Sequence, residues 1–372
     1  MDRNLFPTWI LIVSTCLVFY SCSTKKDFKL PNLEIREGKA ILSGKMTNFN
    51  PSGIPKPRRL SLSVPHPFTE EWSYMLKTEV DSSGFFSFEV PLQSYHAIGH
   101  ISPDFRNYDD FDVCLTVGEE TKIDVVYQEK TGTIKNIDQI NNMGLTSVDL
   151  IKMDSIQEEV RRFIFPDLRE LHRAPARFVK QSKVHLADML KELEKDTILS
   201  EVAKKYSEIE LKLLMLNQRL LLYKIIMRSD FSENGEPKIV ESPHIDKHYY
   251  TFLKDFKLND PQYLYSGVYY SNVALHIISD EIFNIPPIDA TPIDQWLKIV
   301  KNSTAELLGF DEGLFYDLLA ANSYAQQFNQ GKTPLSDIQK ENINNYFKDG
   351  KAEIAKIILK KNEEISKLEK DK

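Results

Sequence analysis

The spacing of apolar residues changes once along this chain, and this change constrains the fold more than any single motif. Between Leu33 and Tyr127, short runs such as Arg59–Val64 alternate apolar and polar residues, with the period of two expected of half-buried strands. From Asp149 onward, apolar residues recur every three or four positions, as in amphipathic helices. We therefore predict an α+β multidomain chain, with an N-terminal antiparallel β-sandwich followed by a mostly helical bundle domain.

Turn residues separate the predicted strands. The segment Thr78–Val90 predicts two strands around a tight turn at Asp81–Gly84, and Gly118–Glu120 separates Phe111–Val117 from Thr121–Tyr127. Strands with turn signals about every ten residues are typical of a sandwich. The domain boundaries that we predict are 33–131 for the β-sandwich, 132–148 for a connector and 149–372 for the helical domain.

The second half of the chain predicts helices of different lengths. Ile156, Val160, Phe163 and Ile164 recur at helical spacing, and a longer helix is expected at about 198–228. The apolar part of this longer helix contains several charged and amide side chains, so we interpret it as a buried bundle helix rather than a membrane span. Further helices are predicted to begin at Asp260-Pro261, Thr291-Pro292 and Thr333-Pro334, and a last helix to run from Lys351 to about Leu368.

The N-terminus predicts an export signal. One cation, Arg3, precedes an apolar core from Leu5 to Tyr20, which ends at Ser21-Cys22. A small residue before a cysteine at this point is typical of lipoprotein processing, so we expect residues 1–21 to be removed and Cys22 to carry lipid. The alternative is a plain secretory signal with an incidental cysteine. The tether 22–32 is net basic at its start, which favours a periplasm-facing anchor in the cell envelope over surface display.

Composition and cysteine usage exclude some classes of function. The net charge of −7 and the pI of about 5.7 make a nucleic-acid binder less expected. Of the three cysteines, only Cys114 remains once Cys16 is removed with the signal and Cys22 is lipidated. The chain has no Cys-x-x-Cys, Gly-x-Ser-x-Gly, His-Glu-x-x-His or Gly-rich phosphate loop. We expect no cofactor, and we expect Cys114 to be a half-buried strand residue without a lowered pKa.

The sequence offers one weak candidate for a metal site. His244, Asp246 and His248 lie within five positions, and on a helix the two histidines would share a face. Zinc needs three or four ligands, and the pattern ties no further ligand cluster to this one. We therefore favour the alternative, in which these residues form the exposed first turn of a helix, and predict no metal site.

Two further clusters have both a functional and a structural interpretation. Aromatic side chains crowd the stretch 249–270, where they could stack on sugar rings, but bundle-core packing is the favoured interpretation. A stretch near His172 and His185 is rich in Arg and Lys and could meet anionic lipid headgroups, but interleaved acidic residues favour a solvated face. The aromatic set is Tyr249, Tyr250, Phe252, Phe256, Tyr263, Tyr265, Tyr269 and Tyr270; the basic set is Arg161, Arg162, Arg169, Arg173, Arg177, Lys180 and Lys183.

Short motifs give the chain a resemblance to a known family. Val80–Phe88 has the form strand–Asp-x-x-Gly-x-Phe–strand, Cys114–Ile123 contains Val-Gly-Glu before a last strand, and Leu314–Ser336 follows in the helical part. Together with the export signal, this arrangement resembles the N-terminal regions of TlpA-like thiol–disulfide oxidoreductase lipoproteins. Members of that family carry a C-terminal thioredoxin-like domain with Trp-Cys-x-x-Cys, which this sequence does not contain, so the resemblance transfers no catalytic residue.

We therefore interpret the chain as a membrane-anchored envelope lipoprotein, a non-catalytic binding or interaction module and not an enzyme. The expected partners are the membrane, through the lipid, and an envelope protein or a thioredoxin-like protein. The alternative is a truncated or split TlpA-like oxidoreductase whose thioredoxin-like domain is missing or separately encoded. A glycan-binding lipoprotein is a weaker hypothesis that depends on the tyrosines alone.

Overall fold

A computed structural model describes residues 30, 33–48, 58–67, 74–104, 108–128, 131–164, 174–231, 237–239, 244–328 and 333–370. The predicted signal 1–21, the lipidation residue Cys22 and the tether up to Lys29 lie outside the described residues. So do His172, Arg169 and Arg173, together with the side chains of Arg161, Arg162, Phe163 and Ile164. Among the described residues, none of the helices combines the length and apolar character needed to cross a membrane.

The N-terminal region consists of strands that form two four-stranded sheets. The first sheet has the order β4-β1-β7-β8, and the second has the order β3-β2-β5-β6. Buried apolar side chains from both sheets, among them Leu42, Leu62, Phe86 and Val113, belong to one hydrophobic core. The strands are β1 (Ile35–Thr47), β2 (Arg59–Val64), β3 (Tyr74–Glu79), β4 (Phe85–Ser94), β5 (His96–Pro103), β6 (Phe111–Thr116), β7 (Glu120–Tyr127) and β8 (Ile134–Ile140).

The strand directions correct the purely antiparallel prediction. β1 pairs with β7 in parallel, with Leu42 opposite Thr121, while the other pairings in the two large sheets are antiparallel. The chain leaves β1, completes the second sheet and returns beside β1 in the same direction. A parallel pair needs such a long crossover, and here other strands provide most of it.

The turn at Asp81–Gly84 forms as predicted, but it connects the two sheets instead of closing a hairpin. Asp81 Oδ1 accepts hydrogen bonds from the backbone N–H groups of Ser83 (2.8 Å) and Phe85 (2.9 Å). Gly84 has φ +86°, a conformation in which a side chain would be strained. β3 then pairs with β2 and β4 pairs with β1, so the strands on either side of this turn belong to different sheets.

The segment 132–148, predicted as a connector, contains β8. Ile134–Ile140 pairs antiparallel with β7 and buries Ile137 and Gln139 on the inner face. The strand contains no aromatic residue, and its exposed positions include Ile140, so its apolar alternation is weak. The buried Gln139 replaces the apolar residue that the pattern requires.

The rest of the described chain is mostly helical. The predicted long helix at 198–228 is interrupted by a π-helical turn at Leu216–Leu220, which widens the helix between α3 and α4. The helices are α1 (Ser147–Ile164), α2 (Pro175–Lys195), α3 (Glu201–Met215), α4 (Tyr223–Arg228), α5 (Gly267–Ser279), α6 (Ile293–Leu308), α7 (Leu314–Gln326), α8 (Asp337–Tyr346) and α9 (Ala352–Lys370). Two 3₁₀ helices, Lys247–Phe256 and Pro261–Ser266, precede α5, and two short strands, Ser229–Phe231 and Pro237–Ile239, precede them.

The predicted helix starts have different outcomes. Asp260 caps a 3₁₀ helix as expected, because its side chain accepts from the Gln262 N–H at 3.0 Å. α6 begins after Pro292 with no side-chain cap. α8 begins after Ser336, which forms a capping box with Gln339, so Ser336 rather than Thr333 is the cap.

Ion pairs join the strand region to the helical region at α9. Glu37 on β1 pairs with Lys360 and, at 3.1 Å, with Lys356, both on α9. Within the helical region, Asp149 links α1 to the start of α3, because it accepts hydrogen bonds from Thr146 and from the N–H and hydroxyl of Ser200. Burial raises the pKa of Asp149, but these hydrogen bonds together lower it more. The net pKa is lowered, so the ionised form of the side chain is favoured.

Candidate functional site

A groove lies where the edge of the strand region meets α1, α3 and the start of α5. It consists of two adjoining cavities of about 690 and 390 Å³ that share His100, Asp112 and Asp154. We call the whole the junction groove. Besides the three shared residues, the acidic half is lined by Tyr108, Asp109, Asp110, Phe111, Ile134, Ile137, Ser147, Leu150 and Ile151. Besides the same three residues, the aromatic half is lined by Ser63, Pro65, Ile98, Gly99, Met153, Gln157, Tyr206, Glu210, Tyr265, Ser266, Gly267 and Tyr269.

Strand register brings the central pair of the junction groove together. His100 on β5 lies directly opposite Asp112 on β6, so their side chains emerge on the same face. His100 Nδ1 is 2.8 Å from Asp112 Oδ1, and His100 Nε2 is 3.4 Å from Asp110 Oδ2. The hydrogen bond to Asp112 raises the pKa of His100, because it favours the charged ring.

The acidic half is attached to the edge of the first sheet. The Asp109 carboxylate accepts from the Ile134 N–H of β8 at 2.8 Å, and the Asp109 carbonyl accepts from the Tyr127 hydroxyl at 3.3 Å. These contacts hold the segment before β6 against β7 and β8. Asp109 and Asp110 are therefore held beside Asp112 and Asp154, and the described residues that line this half of the groove include four carboxylates and one histidine.

Besides the shared residues, the aromatic half combines tyrosine rings with the carboxylate of Glu210. The Tyr206 hydroxyl donates to the Tyr265 carbonyl at 2.9 Å, and burial raises the pKa of Tyr206 well above its usual value. Glu210, one helical turn further along α3, accepts a hydrogen bond from the Gln157 amide of α1. Both hydrogen bonds fix side chains on the helical wall, so this half of the junction groove is preformed.

The geometry favours binding over proton-transfer catalysis. A general base needs a neutral acceptor nitrogen that faces a substrate. Both ring nitrogens of His100 face carboxylates, and the raised pKa favours the protonated ring. Ser63 and Ser147 line the groove, but no hydrogen bond links either hydroxyl to His100 among the described residues.

Cys114 is fully buried rather than half-buried. It lies on β6 between Val113 and Leu115, which face the core of the two sheets, while its own side chain packs in the hydrophobic core of the helical region. Because helices cover this face of the sheet, neither face of β6 is solvated. Burial raises the pKa of the Cys114 thiol far above its ordinary value, in agreement with the expectation that nothing lowers it.

The three residues of the weak metal candidate do not share a helix face. His244 precedes the 3₁₀ helix, which begins at Lys247, and Asp246 caps that helix by accepting from the His248 N–H at 2.9 Å. His244 and His248 are exposed. Within the part of the chain that the structure describes, no group of three or more His, Cys, Asp or Glu side chains is arranged to hold a metal.

The tyrosine-rich stretch forms core, which confirms the favoured interpretation. All eight aromatic side chains of this cluster are buried, and Tyr250 and Tyr270 are among the largest fully buried side chains. Several hydroxyls donate to backbone carbonyls. The Tyr249 hydroxyl donates to the Leu220 carbonyl at 2.8 Å, at the end of the π-helical turn.

The structure brings the predicted basic stretch and the histidine cluster to one surface. Lys180 and Lys183 of α2 line a cavity of about 660 Å³ together with His244 and His248. Lys183 pairs with Asp255 at 2.6 Å, as expected for a mixed-charge face. Arg177 is exposed on the same helix, and His185 lines a different cavity, between α1, α2 and α3.

His100, Asp110 and Asp112 were not predicted as site residues. The available signal was weak: Asp109 and Asp110 precede a predicted strand that contains Asp112, and His100 ends a run of alternating residues. Only the pairing of β5 with β6 brings them together. Comparisons of the chain with protein-family models, with curated proteins and with solved structures find no match.

Proposed function

We propose that this protein is a membrane-anchored envelope lipoprotein that acts as a non-catalytic interaction module and binds its partner in the junction groove. The observation that carries the proposal is the pair of adjoining, preformed cavities at the boundary between two regions, a common location for binding sites. The paired His100 and the buried Cys114 support binding rather than catalysis. The anchor is supported by the apolar core that ends at Ser21-Cys22.

The proposal includes the architecture that presents this groove. We propose that the two sheets form a β-sandwich, since their buried side chains contribute to one core and the turns after Val80 and Val117 carry the chain from one sheet to the other. The helices cover the second sheet around Cys114. The groove then lies at the open edge of the sandwich, beside β8.

Photo-crosslinking in native cells tests the binding role. A photoreactive amino acid replaces Asp154 in the junction groove, and the matched control replaces Asp124, which is exposed on β7. We expect a discrete adduct from position 154 and none from position 124. Equal adducts from both positions, or none from position 154, would contradict the proposal.

Detergent phase partitioning tests the anchor separately. We expect the full-length protein to enter the Triton X-114 phase and Cys22→Ala to remain in the aqueous phase, because the thiol is the proposed site of lipid attachment. If the two proteins partition alike, the lipid anchor is wrong, whereas the groove proposal still depends on the crosslinking result.

A further inference from the structure

The edge of the first sheet beside the junction groove is open. β8 is the last strand in the sheet order, and its backbone pairs with β7 on one side. Apart from their pairing with β7, the backbone groups of residues 135–140 form no hydrogen bond with the backbone of any other described residue. In an edge strand, the outward N–H and C=O groups are available to a further strand.

The neighbouring edge of the second sheet is covered at Cys114, in contrast to most of β8. On β6, the Cys114 N–H donates to the Gln139 side chain at 3.3 Å, and the Cys114 carbonyl accepts from the Thr121 hydroxyl at 2.6 Å. Side chains from β7 and β8 therefore occupy both backbone groups of this residue. On β8, the Ile134 N–H donates to the Asp109 carboxylate, and beyond it the described residues leave the outer edge from Lys135 to Ile140 without a second backbone partner.

Apolar and acidic side chains surround this open edge. Ile134 and Ile137 of β8 face Leu150 and Ile151 of α1 across the acidic half of the junction groove, and Ile151 is 53% exposed. The acidic rim consists of Asp109, Asp110, Asp112 and Asp154. An added strand would point one set of alternate side chains at this cavity, with its apolar wall and acidic rim, and the other set away from it.

We propose that β8 and the acidic half of the junction groove bind an extended peptide segment of a partner protein, in which apolar residues alternate with Lys or Arg. This inference rests on the proposed binding role of the groove and names the chemistry of the partner. Backbone hydrogen bonds to β8 supply the general affinity, and the apolar wall and acidic rim supply the selectivity. A second copy of this chain is disfavoured, because it would bring its own acidic rim against this one.

The proposal is tested by measuring the binding of short capped peptides to the full-length protein. The probe is a labelled peptide of about ten residues that alternates Val with Lys. The first control is a peptide of the same length that alternates Val with Glu. The second control is a Lys-containing peptide of equal charge with two central prolines, which cannot add to the sheet as a strand. We expect anisotropy to report binding of the first peptide only, and hydrogen exchange to slow at the amides of 135–140.

A charge-matched pair of variants tests the location. Asp110→Lys/Asp154→Lys reverses two carboxylates of the rim, and Glu306→Lys/Glu363→Lys makes the same change in net charge on exposed residues of the helices α6 and α9. We expect the first variant to weaken binding about tenfold or more and the second by less than about twofold. Far-UV circular dichroism checks that both variants are folded.

Four outcomes would overturn the inference: no binding of the Val-Lys peptide, equal binding of the proline peptide, equal weakening by both variants, or protection of amides away from β8. Concentration-dependent dimerisation that protects 135–140 would assign the edge to a second copy and also overturn it. A specific crosslink at position 154 combined with failure of the peptide would leave the binding role intact and refute only the strand-addition chemistry.

Discussion

The strand region and the helical region build their interiors from different chemistry. The core that the two sheets share consists mostly of aliphatic residues and Phe, with Tyr127 as its large polar exception. The helical core contains many tyrosines, and hydroxyls such as those of Tyr206, Tyr249 and Tyr270 donate to backbone carbonyls within it. Sheets satisfy their own backbone groups, whereas 3₁₀ and π-helical turns leave carbonyls that side chains satisfy.

The two regions therefore obtain their structural specificity in different ways. In the sheets, register depends on which residues face the core, since a shift by one residue would expose the whole apolar set. In the helical region, particular hydroxyl–carbonyl pairs hold irregular segments in place.

Cys114 lies in the strand region but packs in the helical core, so its reactivity reports on the contact between the two. In protein lacking Cys16 and Cys22, we expect a thiol reagent to label the folded state at least about a thousandfold more slowly than the denatured state. Labelling requires opening of a buried site, and the raised pKa leaves little thiolate. The time course of labelling at neutral pH is the measurement.

Rapid labelling of the folded protein would show that the helices do not cover the second sheet tightly. The same protein should match the no-protein blank in an insulin-reduction assay with dithiothreitol, because turnover requires a second thiol. A rate clearly above the blank would reopen the oxidoreductase hypothesis.

Truncation of one leucine in each core tests whether the two regions unfold together. Leu62 in β2 and Leu319 in α7 are both fully buried. We expect Leu62→Ala and Leu319→Ala each to lower the free energy of unfolding by about 2–5 kcal/mol. Because helices pack on the second sheet, both should shift the same single transition in chemical denaturation followed by circular dichroism.

Ile338→Ala is the matched control, since Ile338 is 58% exposed on α8 and its truncation should change stability by less than about 0.5 kcal/mol. Two separate transitions, each shifted by only one of the core variants, would contradict the expectation of a single cooperative unit.

His66 makes the stability depend on pH. It follows β2, is 5% exposed and has a pKa lowered to about 3 by burial and by the nearby Lys361. Since the unfolded chain binds this proton near pH 6.5 and the folded chain does not, stability falls as pH drops below 6.5. Between pH 6.5 and 5 the loss should approach about 2 kcal/mol, measured by denaturation at each pH.

His66→Phe should flatten this part of the pH profile, whereas His244→Asn, at an exposed position, should leave it unchanged. His100 acts with the opposite sign, because its raised pKa gives a contribution that is present at low pH and is lost as pH rises through the raised value. An unchanged profile in His66→Phe would mean that His66 is solvated.

Removal of one hydroxyl in each region tests the contrast between the cores directly. In Tyr249→Phe, the buried Leu220 carbonyl loses its donor, and we expect a loss of about 1–2 kcal/mol in unfolding free energy. In Tyr127→Phe, the carbonyl that loses its donor belongs to the exposed Asp109, and the bond is longer at 3.3 Å. We expect a loss below about 1 kcal/mol there, and equal losses would refute the contrast.

The local sequence pattern was sufficient to predict those helices and strands whose two faces differ in polarity. Arg59–Val64 forms β2 with the predicted bounds, and the aromatic stretch 249–270 is buried as favoured. β8 was missed because its buried positions include Gln139 and its exposed positions include Ile140, which weakens the alternation. The π-helical turn was missed because its residues have ordinary helical spacing.

The junction groove could not be predicted from pattern. His100 and Asp112 are twelve positions apart and meet through strand register, while Asp154 and Glu210 come from two helices. No rule of spacing connects such positions. The weak candidates that spacing did suggest, His244 and His248, are exposed and do not share a helix face.

The order of the two regions, the main turns and many of the buried faces follow from the sequence, because they depend on hydrophobic period and backbone preference within a few residues. Only the folded chain shows that Asp81–Gly84 joins two sheets, that β1 pairs in parallel with β7, and that His100 meets Asp112. These features depend on contacts between distant residues, whose free energy appears only when the whole core is packed.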